Sequence, residues 1–152
     1  MRTVDEWFSA YGESHQHPVN KALHWVCIPL ITTSLLGLLW AAPAPCSLPL
    51  VNWATALACV SVAYYTALSP RLALGMAVAI VGMLAAVRGL AGWEAAPLWC
   101  SSLVIFAVAW VGQFIGHAVE GKRPSFFADL QFLAIGPLWL LGHVYRKLGL
   151  RY

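Results

Sequence analysis

The segment Tyr11-Gly-Glu-Ser-His15-Gln-His17-Pro18-Val-Asn20-Lys-Ala-Leu-His24 decides how this chain is interpreted. It holds three of the five histidines and opens a long uncharged stretch of sequence. Histidine is the commonest metal ligand among side chains and the one most easily tuned for proton transfer. A histidine cluster at the start of an apolar segment long enough to cross a membrane therefore indicates a functional site. His117 and His143 belong to that site if the fold returns them to it.

Composition places the chain in a membrane. Of its 152 residues, 61% are hydrophobic and 10% are charged, and the mean hydropathy is +0.73, whereas a soluble domain has about 25% charged residues. No charged residue occurs between Lys21 and Arg71, and about 20 apolar residues span a bilayer. We therefore predict one integral membrane domain over residues 1–152. The net charge of +3 is too small and too scattered to indicate a nucleic-acid partner.

Residues 1–15 predict a short interfacial helix rather than a cleaved signal peptide. The run Thr3-Val-Asp5-Glu6 is acidic, where a signal peptide needs a basic start, and its Thr and final Glu fit a capping box. One helical face then carries Trp7, Tyr11 and His15, because residues four apart are neighbours on a helix. Tryptophan and tyrosine favour the headgroup level of a membrane.

Four apolar segments are predicted to cross the membrane as helices. Pro18 breaks the chain before the first of them, and Asn20 is placed to cap it. The predicted spans cover residues 21–40, 51–68, 72–87 and 98–115. A fifth apolar segment, 126–145, is interrupted by Gly136-Pro137 and is predicted to be re-entrant or shallow. The fold class is therefore all-α, a membrane helical bundle of four spans with this C-terminal segment and the short N-terminal helix.

The distribution of charge predicts the orientation of the bundle. Lysines and arginines near the ends of spans stay in the cytoplasm, and four spans place both termini, Arg71 and Lys122-Arg123 on that side. An uncharged loop lies on the opposite side and is marked by Pro43, Pro45 and Pro49. Under this topology all five histidines lie at the cytoplasmic face. Their convergence from distant parts of the sequence is the strongest indication of a site.

The predicted metal ligands are His15, His24, His117 and His143. The turn between the first two lets both face one ion. His117 shares a helical face with Gln113 at i−4 and Glu120 at i+3, residues of the kind that support a metal-bound imidazole. His143 lies in an apolar segment, where an ionisable group is usually functional. We interpret His17 as a solvated loop residue.

The residue types in the predicted site limit which metals and which enzyme classes it fits. A histidine-rich site with few carboxylates suits iron, zinc or copper. The four cysteines show no C-x-x-C spacing and imply no disulfide. The chain has no G-x-S-x-G elbow, no phosphate-binding glycine loop and no H-E-x-x-H motif. The five histidines do not form H-x-x-x-H or H-x-x-H-H boxes, which excludes the membrane di-iron desaturases and hydroxylases.

The chain resembles the small multipass membrane 2-hydroxy fatty acid dioxygenases in three motifs. These are Tyr11-x-x-x-His15-x-x-Pro18-x-Asn20-x-x-x-His24-x-x-x-x-Pro29, Gln113-x-x-Gly116-His117-x-x-Glu120-x-x-x-Pro124, and Gly136-Pro137. His17 stands where that family shows Asn, and His143 where it more often shows Glu. Eukaryotic members act in fatty-acid α-oxidation at the endoplasmic reticulum, including the breakdown of phytosphingosine. The resemblance implies that location for a eukaryotic protein and the inner membrane for a bacterial one.

The resemblance also implies an Fe(II) enzyme that uses O2 to cut the C1–C2 bond of a long-chain 2-hydroxy fatty acid. The products are the acid one carbon shorter, CO2 and water, and no other reductant is needed because the substrate supplies all the electrons. Glu120 and Gln113 are the implied catalytic residues, and Asn20 and Tyr11 support the metal ligands. The pair Lys122-Arg123 holds the substrate carboxylate in this interpretation, or else carries only positive-inside charge.

Two other classes stay open from the sequence. One is a haem protein with His24 and His117 as axial ligands, which a Soret band would reveal. The other is a non-catalytic membrane scaffold, whose histidines are interfacial polar residues and which carries no metal when purified.

Overall fold

A computed structural model describes residues 2–44, 51–127 and 130–152, and within these ranges the fold is entirely helical. The helices are α1 (Val4–Gly12), α2 (Pro18–Ala41), α3 (Trp53–Leu68), α4 (Pro70–Ala91), α5 (Leu98–Glu120) and α6 (Phe132–Lys147). A 3-10 turn at Ser125–Phe127 precedes α6. The all-α class is therefore confirmed. The predicted loop with Pro45 and Pro49 lies outside the described residues.

Helix α1 begins with the capping box that the sequence predicted. The Thr3 amide donates to Glu6 Oε2 at 2.7 Å, and the Glu6 amide donates to Thr3 Oγ1 at 3.3 Å. Trp7 and Tyr11 are buried, and α1 packs on α6, where the Trp7 ring meets Phe132 edge-on at 5.1 Å. The helix is thus docked on the bundle by its aromatic face, and it holds the start of the histidine segment in place.

The predicted cap of α2 was wrong by three residues. Pro18 is the first residue of the helix, and His17 caps it by accepting a hydrogen bond on Nδ1 from the Val19 amide at 3.2 Å. Proline suits the first helical position because its missing N–H would have no helical partner there. Asn20 lies buried inside the first turn, and its Nδ2 donates to the Ser14 carbonyl oxygen at 3.1 Å.

Helices α2, α4 and α5 are long and apolar enough to cross a membrane. At 1.5 Å per residue, the 24 residues of α2 extend about 36 Å, against about 30 Å of hydrocarbon in a bilayer. Helix α3 is apolar but has 16 residues, about 24 Å of helix. Large apolar side chains on these helices are exposed, among them Leu74, Val78 and Val108 at 70, 68 and 66%. Such surfaces indicate a membrane protein, whereas the count of four spans stays a prediction.

Helix α6 continues without interruption through Gly136 and Pro137, where the sequence predicted a bend. It packs on α1, α4 and α2, and its buried residues join the main core with aromatic residues of α1. Proline inside a helix removes one backbone hydrogen bond, and close packing on three neighbours holds the helix nonetheless. The re-entrant character of this segment stays a prediction.

The pairing of α2 with α5 sets the position of the site. Gly112 and Gly116 face α2, where a Cβ on Gly112 would lie 2.6 Å from Cys27 Sγ and one on Gly116 would collide with the Asn20 amide. The small-residue spacing therefore allows the two backbones to approach closely. The close approach puts His24 and His117 at the same level of the bundle.

Candidate metal centre

Three buried histidines meet at one end of the bundle. His15 comes from the loop after α1, His24 from the second turn of α2, and His117 from the end of α5. Their ligand atoms all lie within 4.8 Å of one another. The side chains are 1, 1 and 5% exposed, respectively. The sequence predicted all three as ligands, and they can hold a single metal ion.

Backbone hydrogen bonds fix which nitrogen of His15 and His24 is free to bind. His15 Nδ1 lies 2.5 Å from the Tyr11 carbonyl oxygen, and His24 Nδ1 lies 2.9 Å from the Asn20 carbonyl oxygen. A carbonyl oxygen only accepts, so each Nδ1 is the protonated nitrogen and each Nε2 carries a lone pair. A metal-bound histidine commonly has this arrangement, because the second N–H orients the ring.

The two free nitrogens face each other. His15 Nε2 and His24 Nε2 are 2.8 Å apart, and with both protons on Nδ1 neither nitrogen has a hydrogen to donate to the other. Two lone pairs at this distance repel unless a cation shares them. Burial lowers the pKa of His15 to about 4, so protons do not fill this role near neutral pH. The pair can therefore share a metal ion.

Several buried polar atoms around the cluster have no partner in the described part of the chain. Among them are His117 Nδ1, Gln113 Oε1 and Trp110 Nε1. A buried polar atom without a hydrogen bond costs about 1–3 kcal/mol, and most buried polar groups have a partner. The rings of His15 and His24 each lie 5.0 Å from that of His117, centroid to centroid. A ligand set made only of imidazoles fits iron, zinc or copper.

Glu120 holds the loop that carries His15 in place by accepting hydrogen bonds from its backbone. Its Oε1 accepts from the Gln16 amide at 2.9 Å, and its Oε2 accepts from the His17 amide at 2.7 Å and from Asn20 Nδ2 at 3.1 Å. The sequence predicted a catalytic role for this carboxylate, and that role stays a prediction. The contacts give Glu120 a structural role, since they join the end of α5 to the start of α2.

A cavity of about 60 Å³ lies against the three histidines. Tyr11 and Gln113 also line it, and the Tyr11 ring stacks on the His15 ring at 4.1 Å with an angle of 8° between the planes. The stacking holds the plane of the His15 ring, and the supporting role predicted for Tyr11 toward a metal ligand stays a prediction. Most of the remaining wall is apolar, including Ile28 and Phe132.

His143 lies outside the three-histidine cluster. Its ring packs on Trp139 at 4.5 Å, and its Nδ1 is 2.9 Å from Arg146 Nη2. Trp139 also contacts the ring of His15 at 5.6 Å. The tryptophan therefore touches both histidines, and the predicted ligand role of His143 stays a prediction. His17 is exposed, as its interpretation as a solvated residue requires.

The predicted carboxylate-binding pair lies at a separate, open groove. Lys122 and Arg123 line this groove of about 680 Å³ together with Arg2. Lys122 Nζ already donates to the Glu13 carbonyl oxygen at 2.7 Å. The groove borders the cavity, because Ser125 lines both. The structure thus puts the pair near the cluster but not in contact with it.

Several residues that line the cavity were not identified from the sequence, among them Trp110, Ser125 and Phe126. Trp110 lies on the same face of α5 as Gln113 and His117, at i+3 and i+7, and that spacing is a signal that identifies it. Ser125 and Phe126 come from the turn before α6, and their sequence carries no comparable signal. Ser125 Oγ lies 2.5 Å from Ser14 Oγ, which joins that turn to the histidine loop.

One comparison with known proteins identifies relatives. A family model described as Mpo1-like, 2-hydroxy-palmitic acid dioxygenase Mpo1-like, matches residues 1–148. Searches for similar curated proteins and for similar solved structures found no match.

Proposed function

Because the chain belongs to the Mpo1-like family, whose name is that of a 2-hydroxy-palmitic acid dioxygenase, we propose that it is an iron-dependent dioxygenase of 2-hydroxy fatty acids. The observation that carries the proposal is the pair of unprotonated Nε2 atoms of His15 and His24, 2.8 Å apart and beside His117. Such a buried, neutral imidazole set binds iron well, and the adjoining cavity gives a substrate access to it.

The proposed reaction shortens the acid by one carbon. A 2-hydroxy acid, R–CH(OH)–COOH, reacts with O2 to give R–COOH, CO2 and water. The C1–C2 bond breaks, C2 is oxidised from an alcohol to a carboxylic acid, and C1 leaves as CO2. Atoms and electrons balance with these reactants alone, so neither 2-oxoglutarate nor NADH takes part.

In this proposal His15, His24 and His117 hold the iron ion. Bound iron supplies the activation of O2, which organic side chains do not provide. His143 reaches the ion only if its ring leaves Trp139 and Arg146, so the proposal rests on three histidines and treats His143 as the position to test.

The remaining polar groups of the cavity orient the substrate and the ligands. Gln113 Oε1 has no partner in the described structure and accepts the hydrogen of the substrate 2-hydroxyl group. Tyr11 holds the plane of the His15 ring by stacking. The apolar wall of the cavity excludes bulk water from the reacting carbon atoms.

The proposed setting is a multipass membrane protein with four spans, α3 being the second, and with α6 shallow at the cytoplasmic face. Both termini and the histidine cluster lie on that face, and Arg88 is the one Lys or Arg of the sequence on the other side. The membrane is the inner membrane of a bacterium or the endoplasmic reticulum of a eukaryote. Cysteine labelling at positions 2 and 151 from the same side supports this topology, and labelling from opposite sides contradicts it.

The function is tested with purified protein, Fe(II), O2 and a long-chain 2-hydroxy acid. We expect the acid one carbon shorter without any added electron donor, and no product from the acid that lacks the 2-hydroxyl group. His24→Ala removes iron and turnover, whereas His17→Ala, the matched control in the same segment, retains both. Formation of a 2-hydroxy acid from the plain acid, with an electron donor present, identifies a hydroxylase and refutes the proposal. A Soret band supports the haem alternative, for which the cavity of about 60 Å³ has no room.

A further inference from the structure

The cavity beside the histidines is too small for a long acyl chain. Its volume is about 60 Å³, which is room for only a few water-sized molecules. A fatty acid with its C1–C2 bond at the cluster must therefore extend its tail through the cavity wall.

One part of that wall is partly exposed at the outer surface of the bundle. Trp110 on α5 and Phe126 in the 3-10 turn meet edge-on with their ring centroids 5.1 Å apart, and both line the cavity. Leu133 on α6 lines it beside them and is 48% exposed. We call these three residues the lateral wall. On the opposite side of the cavity, Tyr11 and Ile28 are buried in the main core.

In the proposed topology, the Trp110 end of the lateral wall lies at the depth of lipid tails. His117 stands three residues before the end of α5, and Trp110 stands seven residues earlier on the same face. Seven residues correspond to about 10 Å along a helix, directed from the end of the bundle toward the membrane interior. A fatty acid in a leaflet has the same arrangement, with its carboxyl group at the water boundary and its tail below.

The second exit from the cavity carries three basic side chains beside apolar ones and is open to water. It leads past the hydrogen-bonded pair Ser14 and Ser125 into the open groove with Arg2, Lys122 and Arg123. An apolar tail gains about 25 cal/mol for each Å² of surface removed from water, and this water-facing groove gives little of that gain. The tail therefore does not take this exit.

Given the proposed function, we propose that the acyl chain of the substrate enters from the lipid and lies across the lateral wall, between Trp110 and Leu133. Phe126 is the side chain that must move aside, since its ring closes the gap against Trp110. The protein takes its substrate directly from the membrane leaflet, and the size of the side chain at position 133 limits the binding of long chains.

Binding is tested without turnover, on metal-free protein in vesicles. The probe is a long-chain 2-hydroxy acid with a diazirine in the middle of its tail, and the labelled residues are mapped by mass spectrometry. We expect labelling of Trp110, Phe126 or Leu133 that an excess of unlabelled 2-hydroxy acid suppresses. Labelling confined to the groove residues, or no labelling that the competitor suppresses, overturns the proposal.

Selectivity is tested with Leu133→Trp, which narrows the lateral wall. We expect kcat/KM for a long-chain 2-hydroxy acid to fall about tenfold or more, as for other pockets that exclude part of a substrate. The fall in kcat/KM for a short, water-soluble 2-hydroxy acid should be much smaller. Leu103→Trp is the matched control, because Leu103 is 49% exposed on α5 and does not line the cavity.

The two tests separate this proposal from the proposed function. Labelling at the lateral wall without any cleavage of the acid refutes the reaction and leaves the binding mode intact. Cleavage that Leu133→Trp slows equally for long and short acids refutes the lateral entry and leaves the reaction intact. If Leu133→Trp does not fold, Leu133→Ala replaces it and should raise kcat/KM for the long acid alone, and no such rise overturns the proposal.

Discussion

Replacing Glu120 by glutamine tests whether this carboxylate holds the site together or takes part in the reaction. The substitution keeps the shape of the side chain but removes its charge. The amide oxygen of the glutamine can still accept the two hydrogen bonds that Oε2 accepts now, from the His17 amide and Asn20 Nδ2. The new NH2 group replaces Oε1 and cannot accept from the Gln16 amide, because both groups are donors. One hydrogen bond is lost and two change from charged to neutral.

The cost follows from the strength of those bonds. A hydrogen bond to a charged group contributes about 1.5–3 kcal/mol and a neutral one about 0.5–1.5 kcal/mol. Gln16 and His17 are exposed, and solvent screening reduces the difference, so we expect about 1–2 kcal/mol in total. This corresponds to a loss of about 5–30-fold in the population of the loop conformation that presents His15.

The assay measures iron affinity and turnover separately. We expect the Kd for Fe(II) to rise about tenfold, as is usual when a group that supports a metal ligand is lost, and turnover at saturating iron to stay near that of the parent protein. Glu13→Gln is the matched control, because Glu13 uses its backbone oxygen, not its carboxylate, to accept from Lys122. Loss of turnover at saturating iron with unchanged iron affinity would show that Glu120 is catalytic and refute this reasoning.

Three further predictions concern the ligands, pH and packing. His117→Ala should abolish iron binding and His143→Ala should retain it, as measured by metal analysis of anaerobically purified protein. Loss of iron from both variants would show that His143 is a fourth ligand. The metal-free protein should lose up to about 3 kcal/mol of stability as the pH falls from 6.5 to 4. The cause is that the unfolded chain binds a proton at His15 at a higher pH than the folded chain does. A Tm that does not change over this range contradicts the burial of the His15 side chain. Gly116→Ala should destabilise the protein by about 1–3 kcal/mol, whereas Gly82→Ala, which meets nothing within 4 Å, should not, and equal Tm values for the two variants would refute the close packing of α2 on α5.

The parts of the fold that depend on local sequence could be predicted. The capping box of Thr3 and Glu6 involves residues three apart, and the apolar spans follow from continuous composition. The spacing of Gly112 and Gly116 on α5 is typical of close helix packing, although it does not identify α2 as the partner. His24 and His117 were expected at the same membrane face because charge sets the orientation of spans, and the structure puts them together.

The parts that depend on distant contacts could not be predicted. Asn20 has the side chain of a helix cap, yet it is buried inside α2, because Glu120, a hundred residues later, accepts its Nδ2 hydrogen. Spacing along α5 suggested that Glu120 supports His117, but the amides of Gln16 and His17 bind the carboxylate. Tertiary contacts decide both cases, and no local pattern in the sequence records them.

His117 lies far from His15 and His24 in the sequence, so it is synthesised and inserted into the membrane at a different time. His15 and His24 leave the ribosome early, whereas His117 and the fastening residue Glu120 follow only after α3 and α4 have been synthesised. No ion can be held by all three ligands until α5 has been inserted beside α2. Because an ion bound there closes a loop from position 24 to position 117, it opposes separation of these two helices in a way that a local contact cannot. A metal ion retained by all three histidines would therefore mark a chain in which α5 has been inserted beside α2.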